Sequence, residues 1–465
     1  MDQIPVTWTP TCPRSALLVS CGVLQAGTML VTEVARSMLA KSKETRRHKV
    51  GVPRSGFKVI IFSIVGILLV IARPLGRAQG QPATGIPSTF FGMTIFDNNN
   101  WPQDSVGALG KGTLVNWSYS EPQRGVFNWG NLDAWVSTAN AHGVDFMFSN
   151  DLVPSWAAAD QSSCGPTYPG SPVIGCTSMV ANTKDWDDFV TALATRYKGK
   201  LIYELWNEPN AESFTGTVAD MVTLTTHEYN IIRSIDPSAL ILAPSPTYGN
   251  AGDSAYMDQY FGAGGPTGVD VITFHAYWTT PEAVIGDSNH MKALMAKYNL
   301  SSKPLWDTEG SWCTGSLATG QESGFAARYY LLHWSAGVSR FYWYAWDSPD
   351  FGTMWDAVTG PHPDAIAYQQ VYNWMVGATM SNPCTMASDS TWTCTLTRPG
   401  GYQALAIWNS ATTKNYTAAS QYKQYFDLAG NANPVNGAVT IGYNPILLVG
   451  SNPPAPPTNL STVVQ

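Results

Sequence analysis

Two glutamates lie where acid–base and nucleophilic chemistry could take place. Glu208 lies in ELWNEPN and Glu309 in LWDTEG, and each comes at the end of a short apolar run typical of a buried strand. Hydrolysis of an acetal needs one carboxylic acid to protonate the leaving oxygen and a second carboxylate to attack the anomeric carbon or activate water. We therefore predict that the two residues form a catalytic pair. The structural alternative is that Glu208 only stabilises the start of a following helix.

Polar and aromatic side chains at other strand ends would complete a sugar site around this pair. Asn207 adjoins the first glutamate and could donate to a sugar 2-hydroxyl. His275 and Tyr277 end DVITFHAY and could hydrogen-bond the carboxylates and keep their pKa values apart. Trp346 is predicted to form the floor of the site and Trp156 a wall. A satisfied core histidine and plain tryptophan packing are the structural alternatives.

From about residue 88, apolar runs alternate with amphipathic stretches. The stretches 131–143, 185–199 and 324–337 end in Gly near a basic residue or His, as helices often do. Runs that are apolar on both faces indicate parallel strands covered by helices, and a count of eight favours a closed (β/α)₈ barrel over an open sheet. The strand candidates are 90–96, 113–117, 144–149, 201–206, 239–244, 270–277, 303–309 and 339–346.

A barrel would bring the two glutamates together, because the carboxyl ends of all its strands open on one face. Glu208 follows the fourth candidate strand and Glu309 ends the seventh. These strands would face each other across the barrel mouth, which suits a carboxylate separation near 5–5.5 Å and a covalent intermediate.

The predicted fold class is α/β, a (β/α)₈ TIM barrel with a small C-terminal antiparallel β-sandwich. The barrel is assigned to residues 85–377. Short alternating runs between Gly, Asn and Pro turns predict the sandwich over 378–451, and a Pro-rich tail fills 452–465. Residues 1–78 form an N-terminal extension.

The extension contains an apolar run, 59–72, preceded by basic residues and followed by a small-residue site. It is shorter than the roughly 20 residues that span a bilayer, which favours a secretory signal over an uncleaved membrane anchor. The long preceding stretch leaves the translation start open, with Met29 and Met38 as candidates. Both interpretations place the rest of the chain outside the cytoplasm, secreted, periplasmic or membrane-anchored.

The cysteines agree with an oxidising compartment. Cys164 and Cys176 form one close pair beside loop-like sequence and Cys384 and Cys394 another, and we predict a disulfide in each. Cys313 is left over and follows Glu309 closely. A buried free thiol is favoured there over a catalytic one, because no His/Asn partner motif accompanies it.

Composition excludes several classes of partner. The net charge is −7 and no Lys/Arg run follows the N-terminal extension, so nucleic acid is not expected. The sequence has neither a Gly-rich phosphate loop before a helix nor His/Cys spacing for metal, so we predict no cofactor and no metal. The 18 Trp and 21 Tyr supply flat aromatic faces that suit sugar rings. We therefore predict a carbohydrate substrate and a monomeric protein.

WNEPN after the fourth strand and a Glu ending the seventh resemble the motifs of the clan A glycoside hydrolases, which are retaining (β/α)₈ enzymes. The resemblance covers roughly residues 88–377. It implies that Glu208 is the acid/base and Glu309 the nucleophile. The residues implied to line the site that holds the sugar under attack (the −1 site) are Asn207, His275, Tyr277 and Trp346.

Within that clan, the run 116–136 is similar to the strand-two region of β-xylosidase-like (family 39) proteins, and the cellulase-like (family 5) group is next nearest. Such proteins usually carry an Arg on the second strand that supports the nucleophile. Here the segment reads GALGKGTLVNW, with only Lys111 nearby. The matching positions are Trp117, Glu121, Pro122, Gly125, Phe127, Trp129, Leu132 and Asp133.

The interpretation favoured by these residues is a secreted retaining glycosidase acting on a polysaccharide or its oligosaccharides. A non-catalytic carbohydrate-binding barrel is the alternative, and loss of either glutamate would have favoured it. A hydrolase of another bond type would need a nucleophile or metal site that the motifs do not supply. The sugar, the linkage and endo or exo action stay open.

Overall fold

The computed structural model describes residues 85–102, 106–166, 174–211, 213–248, 253–312 and 315–450. The apolar run 59–72, Cys313 and the tail 452–465 lie outside these residues, so their assignments stay predictions. Among the helices of the described ranges, none combines the length and apolar character needed to cross a membrane.

A parallel sheet closed by surrounding helices forms the larger part of the fold. Its strands run in the order β7, β6, β3, β2, β1, β11, β10, β9, β8, and a parallel bridge from Leu242 to Val271 joins β7 to the start of β9. Both β7 and β8 lie next to β9, so they occupy one position of the sheet and the nine strands fill eight positions. The sheet is therefore the predicted (β/α)₈ barrel. The strands are β1 (Phe91–Met93), β2 (Ala108–Leu109), β3 (Asp145–Ser149), β4 (Cys164–Pro166), β5 (Ile174–Cys176), β6 (Ile202–Glu204), β7 (Leu240–Leu242), β8 (Thr247–Tyr248), β9 (Ile272–Tyr277), β10 (Leu305–Ser311) and β11 (Val338–Trp343); β4 and β5 form a hairpin outside the barrel.

The helices follow the predicted amphipathic stretches. The stretch 131–143 ends at Gly143, whose φ of 65° gives the left-handed conformation that a helix C-terminus favours. The helices are α1 (Trp117–Ser120), α2 (Gly130–His142), α3 (Thr183–Arg196), α4 (Val218–Ile235), α5 (Asp253–Gly262), α6 (Val284–Lys297), α7 (Glu322–Ser335) and α8 (Pro363–Met375).

The prediction of the second strand was wrong. Residues 113–117 form a turn that leads into α1, and the strand is the two-residue β2, which two glycines flank. A Cβ on Gly107 would lie 1.8 Å from the carbonyl oxygen of Ser88, and one on Gly110 would lie 2.3 Å from Oγ1 of Thr94. Glycine permits this close approach because it has no Cβ. Since Gly is depleted in strands, the residues around β2 do not show the pattern by which a strand is predicted. Lys111 consequently follows the second strand at the barrel mouth.

The barrel interior is filled by apolar side chains from alternating positions, which makes it a packed core below the mouth. This interior cluster consists of Ala108, Met147, Ile202, Leu240, Leu242, Val271, Trp306 and Tyr342.

The C-terminal region is antiparallel, as predicted. A six-stranded sheet runs in the order β14, β15, β16, β21, β18, β19, and a two-stranded sheet pairs β17 with β20. A buried cluster including Ile407, Val439 and Leu448 draws on both sheets, as in a β-sandwich. The remaining strands, including the β12–β13 hairpin, are β12 (Trp355–Asp356), β13 (Gly360–Pro361), β14 (Thr379–Met386), β15 (Thr391–Arg398), β16 (Tyr402–Asn409), β17 (Lys414–Thr417), β18 (Gln424–Phe426), β19 (Ala432–Pro434), β20 (Ala438–Ile441) and β21 (Ile446–Val449).

Both predicted disulfides are confirmed. Cys164 pairs with Cys176 across the β4–β5 hairpin, with their Cα atoms 3.9 Å apart. Cys384 on β14 pairs with Cys394 on β15, with a Cα distance of 4.2 Å. Disulfides persist mainly in oxidising compartments, so both bonds are consistent with an extracellular protein.

Candidate active site

Glu208 is held by backbone contacts on both sides of the fourth barrel strand. The N–H of Asn207 donates to the carbonyl of Asn150 at 2.7 Å, and the N–H of Glu208 donates to the carbonyl of Ser245 at 2.8 Å. The φ angle of Glu208 is +45°, a region that side-chain-bearing residues rarely adopt. Such strain persists where neighbours over-determine the backbone, as these two bonds do, and it is concentrated at functional sites.

Glu309 is directed into the mouth by a bulge in the seventh barrel strand. The register between β9 and β10 shifts between Asp307 and Glu309, so Thr308 is an extra residue there. Asp307 points outward, where Oδ2 lies 2.7 Å from Nε2 of His333 on α7. Thr308 points into the barrel and donates to Glu204 at 2.6 Å. The bulge thus allows Thr308 and Glu309 both to face inward, whereas Asp307 faces α7.

The two glutamate side chains converge. One oxygen of Glu208, one of Glu309 and a ring nitrogen of His275 all lie within 4.8 Å of one another. The Glu208 side chain is 12% exposed and that of Glu309 is 9% exposed, so both reach the surface only at the mouth.

His275 and Tyr277, both from β9, each contact one carboxylate. Nδ1 of His275 lies 3.0 Å from Oε1 of Glu208. Burial alone would lower the pKa of His275, but the charge of Glu309 and the bond to Glu208 raise it above its usual value. The hydroxyl of Tyr277 donates to Oε1 of Glu309 at 2.6 Å, and burial raises the pKa of this phenol well above its usual value. Tyr277 therefore remains a donor over the ordinary pH range.

Lys111 links the nucleophile candidate to its neighbour on the fourth strand. Its Nζ lies 2.5 Å from Oε2 of Glu309, donates to Oδ1 of Asn207 at 2.7 Å, and lies 5.6 Å from the ring centre of Tyr344. Burial alone would lower the pKa of Lys111, but the charge of Glu309 raises it above its usual value, so the side chain stays an ammonium. The sequence placed Lys111 only near the second strand, because the strand itself was misplaced.

The two tryptophans predicted to line the site lie in different places. Trp346 follows β11 at the mouth, is 6% exposed, and donates its backbone N–H to Thr94 at 3.0 Å. Its indole N–H and Nε2 of His275 are buried and have no hydrogen-bond partner among the described residues. Trp156 instead bonds the carbonyl of Glu121 at 2.9 Å and lines a separate cavity.

Two further site residues were missed by sequence reasoning. Asp151 follows β3, and burial raises its pKa despite the opposing charge of Lys111. Tyr344 follows β11, and its ring is 6.3 Å from that of Tyr277. Their positions at strand ends were the available signal, but an isolated Asp or Tyr beside a strand has many structural roles.

The same carboxylates and imidazole offer donor atoms that a metal ion can bind, namely those of Glu208, His275 and Glu309. The ammonium of Lys111 ion-pairs with Glu309 and would repel a metal cation. The arrangement therefore favours organic acid–base chemistry.

Comparison with known proteins agrees with this geometry. Residues 170–347 match the family model "Cellulase (glycosyl hydrolase family 5)". No curated protein matches the sequence.

Solved structures share the fold at low sequence identity. A family 39 glycoside hydrolase from the gut symbiont Bacteroides cellulosilyticus WH2 is 17% identical, covering 78% of this chain and 81% of that one, with a TM-score of 0.63. A glucosidase from Croceicoccus marinus is 10% identical, covering 81% and 98%, with a TM-score of 0.54. A family 30 endoxylanase from Clostridium papyrosolvens C71 is 13% identical, covering 80% and 97%, with a TM-score of 0.50.

Taken with the barrel and the paired carboxylates, these matches define the chain as a glycosidase. Its fold and site are similar to those of the clan A glycoside hydrolases, and a glycosidase acts on a carbohydrate.

Proposed function

We propose that this glycoside hydrolase cleaves its substrate with retention of anomeric configuration, by double displacement through a glycosyl-enzyme. In the first step Glu309 attacks the anomeric carbon while Glu208 protonates the departing oxygen. In the second, Glu208 takes a proton from water, which displaces Glu309 and releases the sugar. The observation that carries the proposal is that one oxygen of Glu208 and one oxygen of Glu309 lie within 4.8 Å of each other. An inverting pair stands about 6.5–9.5 Å apart to leave room for water.

The surrounding contacts suit this division of roles. Glu309 receives the hydroxyl of Tyr277 on one oxygen and the ammonium of Lys111 on the other, and both contacts orient its side chain. Glu208 lies 3.0 Å from the imidazole of His275, which can follow its changes of protonation. Such fixed charges act strongly where water is excluded.

We propose a polysaccharide or its oligosaccharides as the substrate, hydrolysed outside the cytoplasm. The names of the matched family and of the structural neighbours, a cellulase, a glucosidase and an endoxylanase, support a glycan. The two disulfides support secretion.

The test separates the two glutamates by their response to azide. We first screen the wild-type enzyme on aryl glycosides and polysaccharides, and then assay Glu208→Ala and Glu309→Ala on the best aryl glycoside. Both variants should lose activity. With azide, Glu208→Ala should form a glycosyl azide of retained configuration, because the azide ion needs no general base. Glu309→Ala should form the inverted azide, because azide then replaces the missing nucleophile. The same configuration from both variants, or full activity in either, contradicts the assignment.

A further inference from the structure

A cavity lies beside α3. Its volume is about 660 Å³, within the range of ligand sites in proteins. Neither Glu208 nor Glu309 contributes to its lining. The lining includes Arg124, Phe127, Trp129, Trp156, Asp188 and Arg196.

The cavity presents aromatic faces. The ring of Phe127 stacks on that of Trp129 at 5.1 Å with an interplanar angle of 10°, and Phe127 is 36% exposed. Trp129 packs inward on Phe189 and Tyr197. Phe127 therefore lies over the buried aromatic layer with much of its surface open to solvent, an arrangement that a flat, partly apolar ligand can cover.

Three ion pairs neutralise most of the charge around the cavity, and Glu121 accepts hydrogen bonds from the indole N–H of Trp117 and the backbone N–H of Gly125, so the lining does not select strongly for an anion or a cation. Arg124 also lies over the ring of Trp156 at 5.1 Å. A ligand would meet polar side chains of nearly balanced charge beside aromatic faces. The pairs are Arg124 with Asp185 at 2.7 Å, Arg196 with Asp133 at 2.6 Å and Lys184 with Asp188 at 2.6 Å.

The cavity is elongated. Its lining follows one face of α3 from Asp185 to Arg196. At a rise of 1.5 Å per residue this stretch is about 16 Å long. A long, neutral ligand with alternating apolar faces and hydroxyls fits this lining better than a small compact one.

We propose that this cavity binds a second segment of neutral oligosaccharide, separate from the catalytic site. The proposal rests on the proposed function, because the segment belongs to the same glycan. Trp156 then contributes to sugar binding, as the sequence predicted, but at this cavity and not beside the catalytic glutamates. The site would hold the polymer near the enzyme without taking part in bond cleavage.

The test counts binding sites on a full-length protein that cannot turn over. Glu208→Gln with Glu309→Gln is titrated calorimetrically with xylohexaose, cellohexaose and mannohexaose. At least one of these sugars should bind at two sites per chain. Adding Phe127→Ala should abolish one site, whereas the control Val358→Ala, at a side chain that is 94% exposed and outside the lining, should keep both.

Kinetics of the otherwise wild-type enzyme give the second measurement. Phe127→Ala should raise KM for the parent polysaccharide several-fold and leave kcat/KM for an aryl glycoside unchanged, with an unchanged melting temperature. A single site in the inactive parent, or two sites surviving Phe127→Ala, overturns this proposal even if the enzyme is an active retaining glycosidase. Failure of the proposed function is a different result, since the wild-type enzyme would then hydrolyse no glycoside.

Discussion

The two oxygens of Glu309 have different partners, the hydroxyl of Tyr277 and the ammonium of Lys111. The same ammonium donates a hydrogen bond to Asn207. Four site residues could be predicted from the sequence because they end recognisable strands, namely Glu208, Glu309, His275 and Tyr277. In the structure, His275 contacts Glu208 and Tyr277 contacts Glu309. The contact of Lys111 with Glu309 could not be predicted, because it depends on where the glycine-flanked second strand ends. The position of the Trp156 side chain could not be predicted either, because a residue in a loop has no strand register that fixes the direction of its side chain.

Lys111 gives a prediction at this scale. Lys111→Met should lower kcat/KM by about 10²–10³-fold, since it removes a preorganised charge beside the proposed nucleophile, Glu309. Lys111→Arg should recover at least about tenfold of that loss, which a purely structural role would not do. Steady-state kinetics on an aryl glycoside measure both, and Lys184→Met, at an exposed pair with Asp188, is the control. Near wild-type activity in Lys111→Met contradicts the role.

Two elements, β2 and the bulge in β10, decide how the site is assembled. Neither was predicted. Residues 113–117 follow the strand pattern better than Ala108–Leu109 do, but tertiary crowding at Gly107 and Gly110 selects the shorter strand. The bulge could not be read from LWDTEG, because an inserted residue has no pattern of its own.

The crowding at β2 predicts a stability difference between two glycines. Gly107→Ala should destabilise the protein by about 1–3 kcal/mol, because the new Cβ meets the backbone of Ser88. Gly165→Ala is the matched control, since a Cβ there meets no described atom within 4 Å. Urea unfolding of both variants gives the comparison, and equal stability contradicts the account of the second strand.

The first turn of α8 predicts a dependence of stability on pH. Asp364 is buried, and burial raises its pKa to about 7. The folded protein then holds this proton more tightly than the unfolded chain, whose carboxyl has a pKa near about 3.9. The stability contributed by the proton is therefore lost as the pH rises from about 4 to about 7. The free energy of unfolding of Asp364→Asn should therefore rise relative to that of the wild type over this pH range, as measured by chemical unfolding at each pH. A difference between the two proteins that does not change with pH contradicts the raised pKa of Asp364.

At the scale of the whole molecule, the barrel and the sandwich share a polar contact built on α7. The guanidinium of Arg328 pairs with Glu282 and lies 4.3 Å from the ring centre of Tyr443, while Nε1 of Trp408 donates to the same glutamate at 3.3 Å. Sequence patterns predicted both architectures, but not this contact, since it joins residues far apart in the chain. The proposed boundary at 377/378 lies between α8 and β14.

The ion pair of Arg328 and Glu282, which lies within the barrel beneath Tyr443 and Trp408, gives a prediction of stability. Arg328→Ala should lower the free energy of unfolding by about 3–5 kcal/mol, because it leaves Glu282 partly buried without its cation. Lys297→Ala, which removes an exposed partner of Asp258, should change it by less than about 1 kcal/mol. Thermal and urea unfolding compare the two. Equal effects mean that the partly buried pair of Arg328 and Glu282 contributes little to stability.

The central claim is that Glu309 becomes covalently bonded to the sugar. A 2-deoxy-2-fluoroglycoside with a good leaving group, chosen from the sugar that the wild-type enzyme hydrolyses, slows release of this intermediate. Intact mass should increase by one fluoroglycosyl unit, and peptide mapping should place that unit on Glu309. A label on any other residue, or hydrolysis that gives the inverted anomer as its first product, contradicts the mechanism.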